Sequence, residues 1–407
     1  MARAAIISVD GHVKAQRAAY RDYVENKHLA EFDEQVKALD AAGAPDGANI
    51  HPRLGPQPQW DSDLRLGLLE AEGVVAEVLF PNGVPFQLNP FDDYAKSANL
   101  ELAAAGRRAY NRWLVDFCAL APGRRAGQML TSFEDVDQAV KDVYWAKEHG
   151  LSGVMVPAVE PGKLYMFDPK LDPIWAAVQE VGLPLSQHGG AGIEAYQPAG
   201  FAMIMTLAVE NAFFANRSLW QMIAGGVFDR FPDLRAAWIE TQVFFMQAAI
   251  SQLDFLLGMG DSWMDWASFL GRDRSVQRKA SEYFGDNVFV GVSPFSTMQI
   301  PTDVLTGKNG DGSLPGFHIG PDAAMFGADF PHFETIVPNT KAEASDLVNA
   351  PGVSDADARK MLYENAASLY GFDLAALQPH MDRVAFDTDD AHPREEPFAF
   401  LKQSVTA

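Results

Sequence analysis

Residues 134–156, EDVDQAVKDVYWAKEHGLSGVMV, decide the fold. Val136, Val140, Val143 and Ala146 recur at helical spacing, Gly150 stands where a helix would stop, and the apolar run Gly153 to Val156 follows at once. Residues 169–188, PKLDPIWAAVQEVGLPLSQH, repeat the design, with Ile174, Ala177, Val178 and Val181 on one face, Gly182 at the stop and a short strand ending at His188. Two successive helix-to-strand units of this kind predict parallel strands joined by helices.

Eight runs read as buried strands: Ala5 to Val9, Val74 to Phe80, Arg125 to Leu130, Gly153 to Val156, Leu183 to Gln187, Ala236 to Ile239, Asn287 to Val292 and Met325 to Ala328. Helical patterns lie between most of them, among them residues 63–72, 97–120 and 244–257. The fold class predicted is α/β, a distorted (β/α)8 TIM barrel. The distortions are an insertion after strand one (helical character from Lys14 to Leu39, then the Gly/Pro-rich residues 42–59) and a C-terminal extension. Residues 1–375 form the barrel, and residues 376–407 a polar, proline-broken tail. No GxGxxG or GxxxxGK[ST] sequence opens a helix, which argues against a nucleotide-binding open sheet.

The 407 residues, 48% of them hydrophobic, suffice for one large core. The formal charge is −22, from 54 acidic and 32 basic side chains. Such a surface repels phosphate backbones and anionic lipid, and Arg107-Arg108 and Arg124-Arg125 are isolated pairs, so neither nucleic acid nor a membrane surface is expected as a partner. Cys118 is the only cysteine, which excludes an intrachain disulfide and any CxxC motif. It falls in an apolar helical stretch and reads as a buried thiol. No run of 18 apolar residues occurs, and the N-terminal apolar run is too brief for a signal peptide, so a cytoplasmic setting is expected.

Four polar clusters sit at the ends of these strands: Asp10-Gly11-His12, His188-Gly189-Gly190, Glu240 and Asp329-Phe330-Pro331-His332. In a parallel barrel all C-terminal strand ends meet at one face, so side chains remote in sequence can share one ion. Imidazoles with carboxylates are ligands for a divalent metal. Asp10 and His12 alternate along one strand and point to the same side. Asp329 follows a strand of small residues where a buried carboxylate needs a partner. His332 can serve Asp329, bind substrate or hold a second ion. Glu240 can bind metal, act as general acid/base, or pair with an arginine such as Arg65 or Arg112. Phe80, Phe86, Phe214, Trp220, Phe244, Phe295 and Phe333 are either core or the walls of a pocket.

These residues, with Gly226-Val227-Phe228-Asp229-Arg230-Phe231-Pro232-Asp233-Leu234 before Glu240 and Glu364-Asn365-Ala366 near the end, resemble the amidohydrolase-related branch of the amidohydrolase superfamily. That branch includes aminocarboxymuconate-semialdehyde decarboxylase and the γ-resorcylate and 5-carboxyvanillate decarboxylases. The resemblance spans residues 5–372 and implies a divalent ion at the C-terminal face. It makes Asp10, His12, His188 and Asp329 the metal ligands. In a hydrolytic reading Asp329 takes the proton of activated water and Glu240 or His332 protonates the leaving group, which makes these three the catalytic set. Zinc is the first expectation for the ion, manganese or iron the alternatives. Two positions depart from the branch's pattern: Glu240 stands about where its decarboxylases carry a histidine, and Asp10 where His or Glu is usual. Met155-Val156-Pro157 supplies no lysine at the end of strand four, so the bridge of the binuclear hydrolases is missing.

The expected activity is therefore metal-dependent hydrolysis of a small organic substrate, aromatic ones included, by activated water. The alternative is nonoxidative decarboxylation; a two-metal oxygenase and a catalytically silent partner subunit stand behind these. The resemblance also implies a homodimer.

Overall fold

The computed structural model describes residues 1–46, 50–86, 99–157, 165–190, 201–258, 276, 278–293, 305–307, 316–333 and 335–394. Trp263, Trp266, Phe269, Phe295 and the tail beyond residue 394 lie outside the described residues. Eight buried runs pair in chain order as one parallel sheet: β1 (Ile6–Val13), β2 (Val74–Pro81), β3 (Arg125–Met129), β4 (Gly153–Met155), β5 (Leu185–His188), β6 (Ala236–Ile239), β7 (Val288–Val292) and β8 (Ala324–Phe326). Helices such as Val136–Glu148 and Asp172–Val181 return the chain between strands. They end where left-handed glycines stop them, Gly150 at φ 79° and Gly182 at φ 65°. The architecture is the (β/α)8 barrel predicted from the sequence.

The ring closes through the two strands that carry the polar motifs. Gly11 forms a parallel bridge with Phe330, and His12 N donates to Phe330 O at 2.7 Å. β1 is longer than its apolar run suggests because pairing with β2 resumes after a bulge, placing Gly11 opposite Leu79 and His12 opposite Phe80. Asp10-Gly11-His12 therefore lies within the strand. A Cβ on Gly11 would stand 2.9 Å from both Arg65 Nη2 and Glu77 Oε2, so the seam requires glycine there. Arg65, fully buried, pairs with Glu77 at 2.6 Å and donates from Nη1 to His12 O at 3.0 Å and from Nη2 to Phe330 O at 3.4 Å. One guanidinium thus ties both edges of the closing seam.

The insertion after β1 begins with two short 3-10 turns, Arg17–Asp22 and Asn26–His28, and becomes α-helical only at Leu29–Ala41. It then crosses the mouth of the barrel, where Ile50 bridges His332 and His51 N donates to Pro331 O at 3.0 Å. At the other end of the chain the helix Leu374–Val384 leads to Phe386–Asp387, which pairs antiparallel with Arg3–Ala4. Phe386 is buried in a small core with Leu69 and Val74, and Leu377, Met381 and Val384 of the preceding helix are buried in the main core. Among the described residues no helix is long and apolar enough to cross a membrane.

Candidate metal centre

Six residues that sequence reading places at separate strand ends meet in one space. Asp10 Oδ1 lies 3.2 Å from His12 Nε2 and 3.2 Å from His188 Nε2. His12 Nε2 is also 3.2 Å from Asp329 Oδ1, which is 2.8 Å from His332 Nδ1. Two ligand triads result, Asp10/His12/His188 and His12/Asp329/His332, sharing His12. All five side chains are buried. Glu240 stands at the edge, its side chain 12% exposed and Oε2 3.7 Å from His188 Nδ1.

Backbone conformation aims these groups. Asp329 has φ 51° and Glu240 φ 56°, left-handed values uncommon for residues with a side chain, and both occur where the chain turns out of β8 and β6. Such strain persists only where surrounding contacts hold it. Thr335 Oγ1 donates to Ala328 O at 2.7 Å just before Asp329, and Asn216 Nδ2 donates to Thr241 O at 2.6 Å just after Glu240.

The outward nitrogens fix the proton positions. A carbonyl oxygen only accepts, so His188 Nδ1, 3.0 Å from Gly189 O, carries a proton, and so does His12 Nδ1 at 3.4 Å from Pro81 O. Asn82 Nδ2 donates to Gln59 Oε1 at 2.7 Å, which leaves its Oδ1 to accept from His332 Nε2 at 3.0 Å. The inward nitrogens, His12 Nε2, His188 Nε2 and His332 Nδ1, then present lone pairs toward carboxylate oxygens. That array repels itself unless a cation lies among it.

Asp329 shows the same need directly. Both of its carboxylate oxygens are buried and make no well-formed hydrogen bond among the described residues, despite the two imidazoles alongside. A buried carboxylate in that state is costly. Mixed imidazole and carboxylate donors suit a divalent cation, and each of the two triads offers such a set.

Electrostatics agree. Burial opposes charge on Asp10, but the His188 and His12 imidazoles outweigh it and hold the carboxyl far below its usual range. Burial likewise disfavours a charged His12, yet hydrogen bonding and attraction from Asp10 and Asp329 push its pKa up to about 9. Burial and the neighbouring His12 charge lower His332. Without a metal, a proton on His12 stands in for the cation.

Neither arginine expected as a partner for Glu240 is one. Arg65 is committed to Glu77, and Arg112 to Tyr23 O at 3.0 Å and toward Glu25 at 3.8 Å. Glu77, a lone carboxylate inside an apolar strand, claims the buried guanidinium because it has no other cation within as short a reach. Of the candidate wall residues, Phe80 faces the site, its ring 4.7 Å from His188 and 6.3 Å from His12. Phe86 packs on Phe32, and Trp220 joins an outer group with Phe213 and Phe245. Phe244 is exposed. Cys118 is half-buried, and burial pushes its thiol up to about 12.

Two contributors escaped sequence reading. Ser293, the first residue after β7, donates from Oγ to Asp10 Oδ2. Its position was a usable signal, since it is the polar residue that ends an apolar strand, as each of the four clusters does. Asn82, directly after β2, was visible on the same ground.

A parallel barrel with imidazoles and carboxylates converging at its C-terminal strand ends defines a class, enzymes with a divalent-metal centre. The chain belongs to the amidohydrolase family, whose Amidohydro_2 model matches residues 92–372, more than half of its length. No curated protein sequence matches it. Solved structures share the fold. An amidohydrolase from Mycobacterium avium subsp. paratuberculosis aligns at 18% identity over 90% of this chain and 99% of that one, with a TM-score of 0.63. The 5-carboxyvanillate decarboxylase of Sphingomonas paucimobilis aligns at 20% identity over 91% and 99%, TM-score 0.57. A dihydroxybenzoic acid decarboxylase from Polaromonas, solved with manganese and the inhibitor 2-nitroresorcinol, aligns at 17% over 90% and 97%, TM-score 0.57. The protein is thus an enzyme of the amidohydrolase superfamily, a hydrolase or a carboxy-lyase.

Proposed function

We propose that the protein is a metal-dependent, nonoxidative decarboxylase of a small aromatic carboxylic acid, with zinc or manganese held by Asp10, His12, His188 and Asp329. The observation that carries the reading is the inward convergence of these four groups, with the imidazole protons tied outward to carbonyls. The choice of reaction is supported by two of the solved structures above, which are named as decarboxylases of hydroxylated benzoic acids. Hydrolysis, the first expectation from sequence, has no comparable support. The same reading carries a small-molecule substrate, a homodimer and a cytoplasmic setting.

When bound, a divalent ion supplies Lewis acidity, stabilising negative charge on a substrate carboxylate and an adjacent hydroxyl oxygen. The chain's own residues do the rest. Asp329, with neither oxygen in a well-formed hydrogen bond, is free to carry the proton that replaces the carboxyl group on the ring carbon. His332, anchored through Nε2 to Asn82, keeps Asp329 oriented. Phe80, fully buried, packs its ring 4.7 Å from His188 on one side of the space. Glu240, at the partly open edge, handles a proton exchanged with solvent.

The test is metal analysis of the purified protein followed by incubation with 2,6-dihydroxybenzoate and 5-carboxyvanillate. The expected result is about one equivalent of zinc or manganese and release of CO2 with one solvent deuterium entering the ring. Cleavage of an ester or amide panel with no CO2 from any hydroxybenzoate would return the assignment to hydrolysis. Two equivalents including iron would point instead to oxygen chemistry.

A further inference from the structure

β7 supplies none of the ligands assigned above, yet the residue after it touches one of them. Ser293 is fully buried, and its Oγ donates to Asp10 Oδ2. The other oxygen, Oδ1, is the one that lies 3.2 Å from both His12 Nε2 and His188 Nε2. The two oxygens of one carboxylate therefore face different partners. Space for the hydroxyl has been kept clear by Gly327: a Cβ there would stand 2.3 Å from Ser293 Oγ and 3.0 Å from Asp10 Cβ. Ser8 acts on the backbone of the same segment, donating to Asp10 O at 3.0 Å and accepting from Ala328 N at 3.0 Å. It fixes the height of Asp10 but not the rotation of its carboxylate.

We propose that Ser293 is a positioning residue of the metal centre, holding Asp10 so that Oδ1 alone is presented to the ion. A carboxylate with both oxygens free swings between one-oxygen and two-oxygen binding, and the cost of ordering it falls on the binding step. A donor on Oδ2 removes that freedom beforehand, the usual service of a group behind a metal ligand. The inference rests on Asp10 being a ligand, and the experiment separates the two claims.

Metal-free wild type, Ser293→Ala, Gly327→Ala and the double variant are titrated with Mn²⁺ by calorimetry, and each is melted in the metal-free state. Ser293→Ala is expected to weaken Mn²⁺ binding about 10- to 100-fold, the range for loss of such a supporting group. Gly327→Ala, which drives the hydroxyl off Asp10 from the other side, should weaken it similarly. The double variant should bind no worse than the weaker single, because both changes remove one contact. A Co²⁺-loaded Ser293→Ala protein should show a shifted visible absorption spectrum. Should Gly327→Ala fail to fold, Ser293→Thr replaces it, and retention of affinity closer to wild type than to Ser293→Ala supports the hydroxyl's role. Mn²⁺ affinity of Ser293→Ala within twofold of wild type overturns the proposal. So does a loss of metal-free melting temperature large enough to account for the weaker binding. Wild type that takes up neither Mn²⁺ nor Zn²⁺ sinks the ligand reading itself, and does so without any substitution.

Discussion

Two arms of the centre share His12 and differ in how finished they are. On the strand-one side, Asp10 already has a donor within the protein: Ser293 donates to Oδ2, while His12 and His188 flank Oδ1. On the strand-eight side, Asp329 sits as deeply buried and as close to imidazoles, yet neither oxygen has a well-formed hydrogen bond among the described residues. The first arm is a built support, and the second is poised for a ligand or a proton. Rigidity in one half and unsatisfied capacity in the other is how a site can hold an ion firmly while leaving a carboxylate able to work.

The contrast breaks most visibly in turnover. Asp329→Asn keeps the shape and removes the charge that carries the proton, so activity on whichever hydroxybenzoic acid the wild type accepts should fall by about 10³-fold or more. Steady-state CO2 release measures it. An Asp329→Asn enzyme within tenfold of wild type would erase the functional distinction between the arms.

Stability in the metal-free state should show the reverse ranking. Asp10→Asn strips a carboxylate from partners it already holds and leaves charge on His12 less compensated, at a cost of about 3 kcal/mol. Asp329→Asn also takes an anion from His12, but it relieves a buried carboxylate that made no well-formed hydrogen bond, and should cost less, about 1 kcal/mol. Urea unfolding in the presence of chelator compares the two directly, and equal losses would contradict the assignment of support to one arm and reactivity to the other.

Glu240 belongs to neither arm, and its substitution sharpens where the centre ends. Oε2 stands beside His188 Nδ1, the nitrogen turned away from the ion position, and Glu240 is in neither ligand triad. Glu240→Gln should therefore retain its metal while kcat falls by about 10²-fold. Loss of metal in that variant would enlarge the first arm to include β6.

In both arms the ligands were legible and their supports were not. Asp10, His12, His188 and Asp329 could be read because each ends or interrupts an apolar run, and parallel topology then dictates that such ends meet. The same logic would have reached Ser293 and Asn82, but serine and asparagine after a strand are ordinary turn residues, and nothing in the sequence weights one over another. The closing seam was less readable still. Glu77 within Val74–Pro81 demanded a cation, and Arg65 on the preceding helix Ser62–Ala71 was available, yet the pairing is a tertiary choice that no spacing states. The Arg3–Ala4 and Phe386–Asp387 ribbon joins the two ends of the chain, where two-residue strands leave no periodicity to find.

The shared residue gives the smallest and most general test. His12 has its pKa pushed up to about 9 by the carboxylates on either side, from an ordinary 6.5, so in metal-free protein its inward nitrogen is protonated at neutral pH. A raised histidine pKa contributes folding stability that is fully present below about 6.5 and is lost as pH rises through about 9. An ion takes the neutral imidazole and must displace that proton. Metal affinity should thus climb about tenfold per pH unit up to pH ~9 and level off above it, with close to one proton released per ion at pH 7.5. Calorimetry in two buffers of different ionisation enthalpy counts the proton. The count also bears on the two arms, because the proton is held between Asp10 and Asp329: Asp329→Asn should leave His12 with one anionic neighbour, reduce the release at pH 7.5, and move the levelling-off point to lower pH. An unchanged proton count in that variant would mean that Asp10 alone governs His12, and the strand-eight arm would then be coupled to the ion by contact and not by charge.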